Sequence, residues 1–224
     1  MKRFFTLGLL LLLVTAVIPA DGPAWNLVIE EEGIRVYQRK IKDKPVYEFK
    51  GTVVINAPVL HIAALALDYE NYQKWQPSIL QFKRLQTTTP YRFMNYFAVD
   101  LPWPVNDRDF ISKNILSVDA HKKWLHLTWT NAKHRSMPVR KGFIRVPYSS
   151  GKWSLKSIKD GKATWAEFRS AGDPGGAIPS WLINWVGKYQ IVDGVKRIRK
   201  RIRAKKYDLR VLKKYPEIEK AFKI

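Results

Sequence analysis

The longest periodic stretch of the chain runs from Ser180 to about Arg203. Ile191, Val195, Ile198 and Ile202 recur at helical spacing and form one apolar seam, with basic residues on the opposite side. Pro174, Gly175 and Gly176 punctuate a loop before it, and Ser180 is the expected N-cap. A helix of that length spans about 36 Å. Toward its start the seam continues as Gly194, Gly187, Asn184 and Ser180, which are small or polar. Trp181, Leu182, Ile183, Trp185, Val186 and Tyr189 spread apolar surface over the remaining faces. Two arrangements fit this pattern. The small face could roof a cavity while the aromatic face meets lipid, or the glycines could let the helix press on a sheet while loops cover the tryptophans.

Upstream, Trp25 to Glu32 reads as one or two helical turns broken by Gly33. Ile34–Lys40 and Val46–Ile55 alternate or carry β-branched residues as strands do. Asn56-Ala57-Pro58 opens a helix to about Leu67, with Asn56 or Ala57 near the cap, and a second helical piece ends at Pro77. Strands are expected at 79–86, 91–99, 108–118, 123–130, 142–146, 152–157 and 163–170. Ser149-Ser150-Gly151 and Lys159-Asp160-Gly161 are expected hairpin turns. Tyr207 to Ile224 reads as a short terminal helix containing Pro216. Two strands, two helices, a run of antiparallel strands and a closing helix predict one α+β domain.

The apolar content of 46% suits a core, and 29 aromatic residues (nine Trp, ten Tyr, ten Phe) could fill it or stack on a ligand. Residues 1–20 have the pattern of an export signal: Lys2 and Arg3, an apolar run from Phe4 to Ile18, and a cleavage site ending at Ala20, with Ala24 as a second option and retention as an anchor a third. The expected location is therefore periplasmic or secreted. Without cysteine there is no disulfide, thiol or lipoprotein chemistry. Forty Lys+Arg against nineteen Asp+Glu give +21, which favours an anionic partner. Export points to an anionic membrane surface, met peripherally, rather than to nucleic acid. The basic run Lys196, Arg197, Arg199, Lys200, Arg201, Arg203, Lys205 and Lys206 could contribute to that attraction.

Leu101-Pro102-Trp103-Pro104-Val105-Asn106-Asp107-Arg108-Asp109-Phe110 is the second distinctive segment. Two prolines around a tryptophan cannot lie inside a central strand, so this is a stiff loop that holds Trp103 outward. Arg108 between Asp107 and Asp109 suggests a charge pair anchoring the next strand.

Pro102 to Phe110, together with Asp173-Pro174-Gly175-Gly176-Ala177-Ile178-Pro179-Ser180-Trp181-Leu182-Ile183-Asn184-Trp185, resembles the START (StAR-related lipid-transfer) domain family, nearest its phosphatidylcholine-transfer-protein branch. The order of elements agrees from about Trp25 to Arg203, which implies a START domain over 25–206 followed by a C-terminal tail helix, 207–224. The resemblance implies a helix-grip α+β fold, in which a curved antiparallel sheet wraps a long C-terminal helix around a hydrophobic tunnel. It also implies that this helix and the loop before the Arg-Asp-Phe strand form a gate for lipid.

One departure matters. Six residues after Arg108 the family often carries a tunnel arginine, and here the position is Asn114. An asparagine hydrogen-bonds a hydroxyl or phosphate but cannot neutralise it, so binding of phosphatidylcholine does not follow from the resemblance.

These readings predict a lipid ligand bordered by Phe110, Ser112, Asn114, Leu116, Asn184, Gly187 and Ile191, and a membrane-contacting gate of Trp103, Trp181, Leu182 and Trp185. The four histidines lack metal-ligand spacing and no nucleophile elbow is present. A monomeric, non-enzymatic lipid shuttle without cofactor is expected. A helix-grip enzyme acting on a hydrophobic substrate and a charge-driven nucleic-acid binder are the alternatives.

Overall fold

A computed structural model describes residues 24–41, 47–101, 103, 105–178 and 180–223, and gives the backbone path alone for Ser180, Trp181, Asn184 and Trp185. The expected export signal lies outside these residues. Among the described residues ten strands form one sheet: β1 (Asn26–Glu31), β2 (Ile34–Lys40), β3 (Tyr47–Ile55), β4 (Ile79–Thr89), β5 (Arg92–Val99), β6 (Asp107–Asp119), β7 (Trp124–Asn131), β8 (Phe143–Arg145), β9 (Tyr148–Ile158) and β10 (Ala163–Asp173). The order across the sheet is β1-β2-β3-β10-β9-β7-β6-β5-β4. Pairing along that path is antiparallel, while β8 lies parallel to the start of β6. Between β3 and β4 the chain crosses through α1 (Val59–Leu67) and a 3-10 turn (Tyr69–Lys74). The long helix α2 (Ser180–Arg203) closes the concave face, followed by a 3-10 turn (Leu209–Lys214) and α3 (Pro216–Phe222).

Most expected elements are present, with five differences. Residues 26–31 form an edge strand rather than helical turns: Glu32 and Gly33 both have positive φ, the conformation of a two-residue hairpin turn, and fold β1 back on β2. Ser149-Ser150-Gly151 is not a turn but the start of β9. Gly151 pairs with Trp129 of β7, and a Cβ there would collide with the indole, so the missing side chain makes room for a ring. The turn at 159–161 is present, with positive φ at Lys159, Asp160 and Gly161. Ser180 is the first helical residue of α2 rather than its cap, and Pro58 takes the cap position of α1. Pro216 starts α3 at its first turn, where a missing N–H costs nothing, rather than interrupting a helix.

The core joins the inner sheet face to α1, the second half of α2 and the C-terminal segment. Ile191, Val195 and Ile198 of the seam are buried beside Phe49 and Val53 of β3 and Ile34 of β2. Leu212, Tyr215, Ile218, Ala221 and Phe222 belong to the same core. His61 of α1 stacks on Tyr207, with ring centroids 4.6 Å apart.

Three cations of the basic run are committed internally rather than offered to a membrane. Lys196 bonds Glu31, Arg197 reaches Gln76, and Arg199 donates to the carbonyls of Glu32 and Val54. Lys196 and Arg199 pin the end of α2 to the β1–β2 turn. Lys200, Arg203, Lys205 and Lys206 remain exposed.

Candidate functional site

A cavity of about 530 Å³ lies between the concave sheet, α1 and α2. Alternation along β6 turns Arg108, Phe110, Ser112, Asn114 and Leu116 into it. At about 3.3 Å per residue this row covers about 26 Å, from the α2 loop toward the C-terminal segment. Ile111, on the opposite face, joins a second small core with Tyr96 and Ala98. From α2 come Leu182, Ile183, Val186, Gly187, Gln190 and Ile191. Two glycines set how closely helix and sheet approach: a Cβ on Gly187 would overlap the Phe49 ring, and one on Gly51 would overlap Ile191.

Phe110, Ser112, Asn114, Leu116, Gly187 and Ile191 thus line the cavity. Leu182, expected on the outer gate surface, lines the cavity instead, as do Ile183 and Val186. The front of α2 turns a broad apolar arc inward, not only its small-residue stripe. Trp103 is 92% exposed. The side chains of Asn184, Trp181 and Trp185 lie outside the described residues.

Arg108 stands at one end of the β6 row, beside the loop before α2. Its expected pairing with the flanking aspartates does not occur, because neighbours on a strand point to opposite faces. It donates instead to the carbonyls of Pro174 (3.3 Å), Gly175 (2.8 Å) and Asn106. Burial lowers its pKa. One guanidinium therefore ties the loop before α2 to the loop before β6, the two segments that the resemblance implies form a gate. Asp107 accepts from the backbone N–H of Leu101, and Asp173 from that of Gly175. Asp109 sits on the far side of the sheet in a buried pair with Arg145 (2.7 and 3.0 Å) and accepts from the Tyr96 hydroxyl.

The inner wall is apolar apart from a few neutral groups. Asn95 of β5 faces inward between Phe93 and Phe97, directly across from Ser112. Tyr69 approaches from the 3-10 turn, and burial drives its pKa well above the ordinary value, leaving a neutral hydroxyl. Among the described residues the charged groups lining the cavity are Arg108 and Asp173. No three His, Asp or Glu side chains converge at metal distance among them. Asn95 and Tyr69 were not singled out by the sequence pattern, although the alternation Phe93-x-Asn95-x-Phe97 carries the information.

The START domain pattern matches residues 14–207. The chain belongs to the START family. It is 30% identical over 172 residues to the phosphatidylcholine transfer protein of Rattus norvegicus, covering 75% of this chain and 78% of that one. The crystal structure of a STAR-related lipid transfer protein from Xanthomonas axonopodis superimposes with a TM-score of 0.70 at 27% identity, covering 80% of this START chain and 98% of that one. An aromatase/cyclase from a Streptomyces species shares the fold at a TM-score of 0.51 and 16% identity, covering 71% of this chain and 97% of that one. The START fold is thus the helix-grip α+β arrangement described above. Its named transfer-protein relatives are lipid carriers, and its wider fold includes an enzyme.

Proposed function

We propose that this START protein binds one lipid in the cavity behind α2 and carries it to or from a membrane, acting after export in the periplasm or outside the cell. The observation that carries this reading is an apolar cavity enclosed by the sheet, α1 and α2, with the loops before α2 and β6 fastened together at one end by a single arginine. Transfer of acyl surface into such a cavity is favourable by about 0.8 kcal/mol per methylene. Release requires the mouth to exchange Arg108–carbonyl contacts for contacts with a bilayer.

Two features support a membrane as the place of exchange. Trp103, 92% exposed, projects from the mouth loop. Val139, 63% exposed, lies four residues before β8 just as Trp103 lies four before β6, and the parallel pairing of those strands puts both loops at the same end of the strands. Exposed Lys133, Arg135 and Lys141 surround Val139 in sequence, a combination of apolar tip and positive charge suited to anionic headgroups.

An enzymatic role has less support. Within the cavity the described acid is Asp173 at the rim, engaged by the Gly175 N–H, with no second acid or base opposite it. A nucleic-acid role rests on net charge alone. The protein is read as a peripheral monomer without cofactor.

The test is transfer of fluorescent lipid between anionic vesicles. The reading expects transfer by wild type, reduced several-fold in Trp103→Ala with binding in solution retained. Absence of transfer by wild type, with no lipid bound, would remove it.

A further inference from the structure

The convex face of the sheet, away from the cavity, carries cations where strand pairing tolerates them least. Phe49 and Gly51 of β3, Phe168 of β10 and Trp153 of β9 face the cavity. Lys50, Arg169 and Lys152 alternate with them and so face the opposite side. The register puts Arg169 directly opposite Lys50 on one neighbouring strand and directly opposite Lys152 on the other. Strands lie about 4.8 Å apart, so the three cations form a straight row about 10 Å long. Like charges directly opposite one another in a sheet are destabilising. The strain on this face is felt at two groups. Burial and then the charge of Arg169 lower the Lys50 pKa, and burial and then the charge of Lys152 lower that of His126. All three residues of the row are half-buried.

The acids of this face do not neutralise the row. Glu48 pairs with Arg39 of β2 (2.6 Å) and Glu167 with Arg169 (2.6 Å). Among the described residues no acid lies within ion-pair distance of Lys50 or Lys152. Three cations and Glu167 leave the row a net charge of +2. Glu167 accepts from the Arg169 Nε, and the two terminal nitrogens of the fork remain as donors. At one end of the row the Lys50 ammonium is held 4.5 and 4.6 Å from the Trp25 and Tyr37 ring centroids. Arg39 stands 4.4 Å from the same indole centroid, so Trp25 is engaged by cations and is not an open platform for a nucleobase. An oxyanion touching all three cations would turn their repulsion into attraction. A phosphate monoester matches the row in charge, at about −1.5 to −2 near neutral pH, and has three terminal oxygens to share among them. A carboxylate, sulfate ester or phosphodiester brings a single negative charge. Three half-buried cations in one short row also suit one compact group better than a plane of headgroups.

We propose that Lys50, Arg169 and Lys152 form a second binding site, on the convex face of the sheet, for the phosphate monoester of a soluble polar molecule. The site is separate from the cavity behind α2 and does not rest on the lipid-carrier reading.

Isothermal titration of the full chain, near neutral pH and at fixed ionic strength, compares glucose 6-phosphate with glucose 6-sulfate, which share a sugar too polar for the apolar cavity. Wild type is expected to bind the phosphate with a Kd of about 1 mM or below and the sulfate about fivefold more weakly. Lys152→Gln, which keeps the length of the side chain and removes one charge of the row, should weaken the phosphate about five- to tenfold. Lys213→Gln removes an equal charge from the exposed surface beside the C-terminal segment and should change the affinity less than about twofold. Because Lys152→Gln also relieves the repulsion, its urea midpoint should equal or exceed that of wild type, which separates lost binding from lost folding. No saturable binding up to about 10 mM, equal affinity for phosphate and sulfate, or equal weakening by the two lysine variants would overturn the site. Vesicles containing phosphatidic acid carry the same monoester on a membrane. If Lys152→Gln weakens attachment to them while wild type binds no sugar phosphate, the soluble ligand is overturned. Each of these outcomes leaves the carrier reading intact.

Discussion

Replacing Arg108 with methionine tests how the mouth is held shut. Methionine keeps much of the apolar stem and removes every N–H donor. Lost with it are the bonds to Pro174, Gly175 and Asn106. A bond to a charged donor contributes about 1.5–3 kcal/mol when its partner is buried. Arg108 is itself buried, and desolvation of the guanidinium already offsets part of the gain, as its lowered pKa reflects. About 1 kcal/mol per bond, and so about 3 kcal/mol in all, is the reasonable scale. If that energy restrains local opening of the mouth, exchange of the Gly175 and Ile178 amides, which bond Asp173 and Gly176, should accelerate about a hundredfold in Arg108→Met. Amides from Val195 to Ile202 should not change, because that half of α2 is held by Ile191, Val195, Ile198 and the Lys196 and Arg199 contacts. Hydrogen exchange read by mass spectrometry separates the two segments. A change under threefold at the mouth, or a uniform acceleration through α2 and β3, would refute the latch.

The two helix glycines should respond oppositely. Gly194→Ala, with open space around the new methyl, is expected to raise stability by about 0.5–1 kcal/mol, whereas Gly187→Ala drives a methyl into Phe49 and should cost about 1–3 kcal/mol, both read by urea denaturation. Ile218→Ala, at a fully buried position beyond the START match, should cost about 2–5 kcal/mol, and a cost under 1 would show that α3 is an appendage rather than part of the core. Burial lowers the His61 pKa below its ordinary 6.5, so the unfolded chain takes up a proton first as pH falls. Stability from this group is therefore present above pH 6.5 and is lost as pH falls through the folded value. Burial shifts His126 the same way, with Lys152 adding to it. In His61→Phe, which keeps a ring against Tyr207, the drop in melting temperature from pH 7.5 to 5 should be smaller than in wild type, and an equal drop would contradict the linkage.

Much of the scaffold was legible because its elements repeat on their own periods. Ile191, Val195, Ile198 and Ile202 mark a helix face that needs burial, and the alternation from Phe110 to Leu116 marks the inward face of β6. What escaped depends on geometry between distant segments. β1 carries few buried side chains and becomes a strand by pairing with β2. Gly151 resembles a turn residue, yet its role is to seat Trp129 across the strand. A helical wheel orders the faces of α2 but does not say which arc the sheet meets, so Leu182 is expected on the gate surface and Ile183 and Val186 have no assigned face. Two of the three partners of Arg108 are backbone carbonyls 66 and 67 residues away, which side-chain chemistry in the sequence does not reveal. Asn95 is a single polar residue in a strand and becomes notable only when its burial and missing partners are seen.

The central claim, that the cavity behind α2 holds a lipid, is tested most directly by native mass spectrometry of the protein purified from its own host without detergent. The account predicts a mass above that of the bare chain by one lipid, lost on denaturation and recovered in the organic extract. A bare-chain mass under native conditions, unchanged after incubation with vesicles, would contradict it.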